Sequence, residues 1–218
     1  DLKRGREQAL RSFQDKLASL KFFDPACGCG NFLIIAYREL RLLEIDTLKA
    51  LYPEGQRELD AAALSRVDVH QFYGIEIDEF PARIAQTAMW MMDHIMNNRL
   101  SMEFGQVFAR IPLKAAPHVV RADALELEWD AVLAPEECSF VLGNPPFLGH
   151  HLQSVGQKAA LRRVFGRYGA SAGVMDFVTA WFVKAAHYIE RGNAEVAFVA
   201  TNSITQGEQV GILWRALA

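Results

Sequence analysis

The sequence predicts an α/β fold built on a mainly parallel sheet. Three observations carry this. Short apolar, β-prone runs alternate with longer segments whose apolar residues recur every three or four positions. The first such run leads directly into a glycine-containing turn and then a helical pattern. The chain has 218 residues, 51% of them hydrophobic, which is enough for one sizeable core. Alternating strand and helix patterns produce parallel sheets, because each crossover helix returns the chain to the same end of the sheet.

The elements follow in order. Leu10, Phe13, Leu17 and Leu20 space an amphipathic helix over residues 7–20. Lys21-Phe22-Phe23 is a short buried strand, and Asp24 to Gly30 is a turn. Asn31 to Leu43 is a helix with Phe32, Ile35 and Leu42 on a broad apolar face. Residues 45–70 read as an insertion, broken at Pro53-Glu54-Gly55, with a helical turn or two over Leu59 to Leu64. Gln71 to Ile77 is a strand. Pro81 suits the first turn of the following helix, where its missing N–H is not needed, and that helix runs to about Met96. Val119 to Ala122 and Phe140 to Leu142 are short strands. Phe177, Trp181, Phe182, Ala185, Tyr188 and Ile189 mark a helix ending near Gly192. Glu195 to Thr201 is a strand, and a last helix begins near Gln209.

Composition excludes several classes. The apolar content rules out a disordered chain. No apolar run approaches the roughly 20 residues of a membrane span, and the most apolar stretch, Phe177 to Ile189, is interrupted by Lys184. Three cysteines make no disulfide framework, which favours a reducing, intracellular setting. The net charge of −3 carries no basic signature over the whole chain. With no initial Met and no signal peptide, the sequence reads as a piece of a longer protein.

Open α/β sheets bind ligands beyond the carboxyl ends of their strands, so the turn Asp24-Pro25-Ala26-Cys27-Gly28-Cys29-Gly30 is the expected site. Gly28 and Gly30 allow a tight turn and close backbone approach. A dinucleotide loop would place a third glycine where Leu33 stands. Asp24 before the glycines suits a cationic, amine-bearing ligand better than a pyrophosphate. Glu76, in Gly74-Ile75-Glu76-Ile77-Asp78, ends the second strand, where a carboxylate either holds ribose hydroxyls or is simply solvated. It stands farther from Gly30 than the roughly 20 positions of the usual unit, consistent with an insertion. Asp123, in Arg121-Ala122-Asp123-Ala124, suits either an exocyclic amine or a helix cap.

A second motif follows the strand Phe140-Val141-Leu142-Gly143: Asn144-Pro145-Pro146-Phe147. Two prolines fix φ and remove two backbone donors, leaving carbonyl acceptors beside a carboxamide and an aromatic ring. An aromatic exocyclic amine is a poor nucleophile because its lone pair is delocalised. The Asn144 side-chain oxygen and the Pro145 carbonyl can hold its two N–H groups and aim its lone pair at an electrophile, most strongly as positive charge develops. Phe147 can stack on the base, and no general base is required.

These runs, in this order, resemble the S-adenosylmethionine-dependent DNA N6-adenine methyltransferases of gamma-type motif order, and in particular the methyltransferase domain of the MmeI-like type IIG/IIL restriction–modification enzymes. The resemblance implies a Rossmann-like class I methyltransferase fold, with helices on both faces of a twisted sheet that is truncated here. Residues 1–20 would be a helix leading into the domain, and residues 21–218 the domain itself. A target-recognition domain, the last two strands and any nuclease would lie elsewhere in a longer chain.

The resemblance also implies roles. Asp24, Ala26, Gly28 and Gly30 would line the methionine part of S-adenosylmethionine. Glu76 would hold the ribose, Ile77 would lie against the adenine, and Asp123 with Ala124 would meet the adenine amine. Trp181 would flank that adenine or simply fill the core. Pro146 would touch cofactor, while Asn144, Pro145 and Phe147 address an adenine flipped from duplex DNA. The implied setting is the cytoplasm of a bacterium or archaeon.

From Cys138 to Met175 the chain holds no Asp or Glu but contains Lys158, Arg162, Arg163 and Arg167. Gly149, Gly156, Gly166, Gly169 and Gly173 suggest mobility, so residues 148–175 read as a cationic flap for DNA phosphates, or a solvated basic helix. His150 and His151 are adjacent, and adjacent side chains point apart on most backbones. The spacing of Cys27, Cys29 and Cys138 is not that of a zinc site. No metal is expected. Other readings remain: the same acceptor pair suits a protein-glutamine, RNA-base or cytosine-N4 methyltransferase, and a non-catalytic DNA-binding or scaffold module could keep the fold.

Overall fold

The computed structural model describes residues 2–53, 64–105 and 117–217. Five strands form one sheet: β1 (Phe22–Asp24), β2 (Phe72–Glu76), β3 (His118–Arg121), β4 (Phe140–Gly143) and β5 (Glu195–Phe198). Their spatial order is β3-β2-β1-β4-β5, and every pairing is parallel. The order reverses at β1, so the crevice at the carboxyl ends of β1 and β4 is where such sheets bind ligands. The register places Asp24 beside Gly74, and Phe23 beside Val141.

Alternation along the strands divides the interior in two. Phe22 and Phe72 stack at 5.0 Å on one face, where α1 (Leu2–Ser19), α2 (Asn31–Leu51) and α3 (Glu79–Phe104) cover them with Leu17, Leu33, Leu40, Met89 and Leu100. Phe23 points the other way, edge-on to Trp129 at 5.4 Å. There it joins Ile75, Val141 and the buried face of α5 (Thr179–Ile189), with α4 (Val155–Val164) and α6 (Glu208–Leu217) adding Leu161 and Leu213. Helices thus lie on both faces, as the sequence predicts.

Several boundaries differ from the sequence reading. α1 starts at Leu2, in a polar first turn without apolar spacing to reveal it. α2 continues to Leu51, because Ile45 and Leu48 prolong its buried stripe; Pro53 follows its end. Residues 45–51, read from the sequence as the start of an insertion, therefore belong to α2, and residues 54–63, with most of the Leu59–Leu64 segment, lie outside the described residues. α3 runs past Met96 to Phe104 and stops at Gly105, whose φ of +67° suits the left-handed cap.

The loop before β2 is anchored by a buried polar cluster. Glu44 is wholly buried and accepts from the Arg66 and Val67 amides, Ser65 Oγ and Gln14 Nε2. Arg41 beside it donates to Asn97, Tyr37 and the Val67 carbonyl. A buried charge is tolerable only when partnered in this way.

Much of the glycine-rich span, read from the sequence as a flap, is helical and packs on the core. Residues 155–164 form α4 and residues 166–174 a 3₁₀ helix, and Leu161, Phe165, Ala172 and Met175 are buried. One glycine there serves close approach: a Cβ on Gly169 would come within 2.5 Å of the Arg162 carbonyl oxygen. The His150 and His151 rings do not point apart; their centroids are 3.6 Å apart. A turn closed by the Leu152 amide on the Gly149 carbonyl turns both side chains the same way.

Candidate active site

The turn after β1 owes its shape to two glycines, Gly28 at φ +55° and Gly30 at φ +84°. A Cβ on Gly30 would also lie 2.9 Å from that of Ala85 on α3. The turn is tied to β2 twice: Cys27 N–H donates to the Ile75 carbonyl at 3.0 Å, and Gly28 N–H to Glu76 Oε2 at 2.9 Å. Gly74 leaves room for Cys27, whose Sγ would lie 2.9 Å from a Cβ at that position. Burial first, then the carboxylates of Asp24 and Glu76, raise the Cys27 thiol's pKa well above its ordinary value, so it stays protonated.

Asp24 lies under this turn and is 1% exposed. Its Oδ1 accepts from the Ala26 amide at 3.0 Å. Burial, reinforced by the Glu76 carboxylate and opposed by that amide, pushes its pKa up to about 7. Gly143, at the end of β4, makes the arrangement feasible, since a Cβ there would meet Asp24 Oδ1 at 2.5 Å. The two sequence motifs therefore meet at an Asp24–Gly143 contact.

Beyond the strand ends lies a cavity of about 450 Å³. Ala26, Glu76, Ile77, Asp123, Ala124, Asn144, Pro146 and Trp181 all line it. Among the expected residues, Asp24, Gly28, Gly30, Pro145 and Phe147 stand outside the lining: the glycines shape the turn, Pro145 is buried, and Phe147 is half exposed. Asp123 caps no helix, since a turn follows it; its side chain accepts from the Leu125 amide at 2.8 Å within that turn, and the residue lines the cavity. Trp181 fills the core, being 5% exposed with its Nε1–H on the Pro25 carbonyl at 3.2 Å, and one side of it lines the cavity.

Five lining residues were given no role by the sequence reading: Pro25, Ile75, Ala122, Gln157 and Phe177. Gln157 is the third residue of α4. Its Oε1 accepts from the Ser154 amide, and its own amide donates to Ser154 Oγ. This capping box was legible as Ser-x-x-Gln, although its place over the cavity was not.

Lys158, Arg162 and Arg163 all lie on α4. Lys158 is half-buried and Arg162 exposed, while Arg163 pairs with Glu126 at 3.5 Å, so an acid from outside the acid-free span neutralises it. The Arg167 side chain lies outside the described residues. Among the described residues no group of acidic, His or Cys side chains could hold a metal ion, and no helix is long and apolar enough to cross a membrane.

The family model described as MmeI, DNA-methyltransferase domain, matches residues 2–218. The chain belongs to this family. It is 57% identical to a solved structure of the type IIL restriction–modification enzyme MmeI in complex with DNA, with a TM-score of 0.93 over 97% of this chain and 28% of that one. It is 41% identical over 213 residues to DNA methyltransferase A of Bacillus subtilis (strain 168), covering 95% of this chain and 24% of the relative. The type ISP restriction–modification enzyme LlaBIII bound to DNA shares the fold alone, at 16% identity and a TM-score of 0.59. The chain thus spans about a quarter of the length of the MmeI chain and of DNA methyltransferase A.

Proposed function

We propose that this domain transfers a methyl group from S-adenosylmethionine to the N6 amine of an adenine flipped out of duplex DNA, within a restriction–modification protein of the bacterial or archaeal cytoplasm. The observation that carries the proposal is that Asn144 and Pro146 line the same cavity as Glu76, Asp123 and Trp181. A base-amine acceptor and a nucleoside-sized slot thereby share one space. Family membership supports it, as does the description of the MmeI structure as a complex with DNA.

The cavity's chemistry fits the cofactor. Glu76 and Asp123 accept from donors such as ribose hydroxyls and an exocyclic amine, and Ile77 and Trp181 offer apolar contact to a purine. The buried Asp24 carboxyl suits a cationic amino group. When bound, S-adenosylmethionine would supply an electrophilic methyl group. Asn144 and the Pro145 carbonyl would accept the two N–H groups of the target amine, favouring a pyramidal nitrogen and stabilising the charge that develops there. Phe147 would stack on the base, offsetting a flipping cost of a few kcal/mol. Lys158 and Arg162 would meet DNA phosphates.

The test uses the full-length protein with tritiated S-adenosylmethionine and unmethylated bacteriophage lambda DNA, followed by nucleoside analysis. The expected product is N6-methyladenine. N4-methylcytosine would overturn the base assignment, and methylation of protein or RNA alone would overturn the substrate.

A further inference from the structure

Residues 144–149 belong to no helix or strand, so their position depends on the bonds made to them. Those bonds converge on Leu148, the residue after the tetrapeptide. Its N–H donates to Asp176 Oδ1 at 2.9 Å. Its carbonyl accepts from the Phe177 amide at 3.0 Å and from Gln153 Nε2 at 2.8 Å. Gln153 also donates to the Met175 carbonyl at 2.9 Å, while Asp176 Oδ1 also takes the Val178 amide at 3.2 Å. The Asp176 amide in turn donates to Gln209 Oε1 on α6 at 2.8 Å.

Gln153 and Asp176 are each 7% exposed, and neither lines the cavity. Burying a carboxylate and a carboxamide is costly unless they are hydrogen-bonded, and here both are bonded to one loop residue. The tetrapeptide is therefore held at both ends. Upstream, Gly143 is paired with Phe198 in the sheet and packed on Asp24. Downstream, Leu148 is fixed on both its backbone groups.

We propose that Gln153 and Asp176 are positioning residues for the target base. By clamping Leu148 they set the orientation of the Phe147 ring and the spacing of the Asn144 and Pro145 acceptors. The clamp is bonded into two neighbouring parts of the domain. Gln153 directly precedes Ser154, the cap of the basic helix α4, and Asp176 leads into α5, which carries Trp181. The proposal rests on reading Asn144–Phe147 as the base-binding loop. An error of about 1 Å in such a group can cost about 10²-fold in rate, so the clamp acts on turnover.

The test measures single-turnover methyl transfer to lambda DNA by the full-length protein, alongside S-adenosylhomocysteine affinity by calorimetry. Asp176→Ala and the volume-conserving Gln153→Met should each slow transfer roughly 10–100-fold, with affinity within about threefold of wild type. Asp176→Asn retains an oxygen for the Leu148 and Val178 amides and should stay within about threefold of the wild-type rate. The double variant should be little slower than the worse single one, since both act through Leu148. If Asp176→Ala melts below the assay temperature, the Gln153→Met arm decides. Wild-type rates in the Gln153→Met protein would overturn the proposal. So would equal losses of rate and affinity, or failure of Asp176→Asn to restore turnover. A wild-type protein that binds S-adenosylhomocysteine yet methylates no DNA would instead overturn the base-binding reading and this proposal with it.

Discussion

Glu76 holds the amide of Gly28: Oε2 accepts that N–H at 2.9 Å, across the gap between the end of β2 and the turn after β1. Its other oxygen accepts from the Asp78 amide at 2.9 Å. Each carboxylate oxygen has a second acceptor site, so this latch leaves Glu76 able to take ribose hydroxyls. Glu76→Ala should lower S-adenosylhomocysteine affinity about 10–100-fold, the range expected for losing hydrogen bonds to a charged group worth roughly 1.5–3 kcal/mol. Calorimetry on the full-length protein checks this. Glu76→Gln, which keeps one oxygen, should fall between the two.

Asp24 gives the site a pH dependence with a definite sign. If the ionised carboxylate receives the cofactor's amino group, affinity rises with pH and levels off above about 7. Below that it should weaken about tenfold per pH unit, with a proton released on binding. Calorimetry near pH 6 in two buffers of different ionisation heat measures the release. No dependence on buffer would remove Asp24 from the binding event.

The same residue should tilt the stability of the ligand-free protein. Asp24 is raised from 3.8 to about 7 on folding, so between those values the native state holds a proton that the unfolded chain has lost. Stability therefore falls as pH rises through that window and is level above it. Asp24→Asn should flatten the slope, read from urea melts at about pH 5 and about pH 8.

Asn144 and Phe147 should fail differently. Asn144→Ala should slow single-turnover transfer about 10²–10³-fold, by analogy with loss of one preorganised hydrogen-bonding group, and leave cofactor affinity nearly unchanged. Phe147→Ala removes a stacking surface, so its defect should shrink on a mismatched adenine, which is cheaper to flip. Parallel series on matched and mismatched duplexes separate the two.

Gly30→Ala should destabilise the domain by roughly 2–5 kcal/mol. It combines left-handed strain of about 1–2 kcal/mol with overpacking against Ala85 of about 1–3 kcal/mol. Thermal melting checks it. A neutral result would mean that the turn adopts another conformation.

The sheet was legible in the sequence because the strands are apolar runs between turn residues, and the crossovers from β1, β2 and β4 carry helical stripes. The motif residues lining the cavity were legible because the fold places β1, β2, β3 and β4 side by side and brings their ends together. Other features depend on contacts distant along the chain. Gly143 matters because Asp24 occupies its missing Cβ position, and Gln153 matters because Leu148 and Met175 converge on it. Among the glycines of 148–175 only Gly169 is closely packed, against the Arg162 carbonyl, and composition does not single it out. The helix ends at Leu51 and Phe104 were missed where buried stripes outran the nearest polar break.

The division of the interior by the sheet bears on how such a domain can change. Phe22, Leu33, Met89 and Leu100 lie on the face away from Trp181 and Phe177. Repacking that distant half can raise or lower thermal tolerance without reshaping the wall against which a purine would rest. The near half has no such freedom, because Trp181 is both core and cavity lining. Away from the turn that Cys27 and Gly30 tie to it, one half of the interior can therefore be repacked without touching the cavity, and the other cannot.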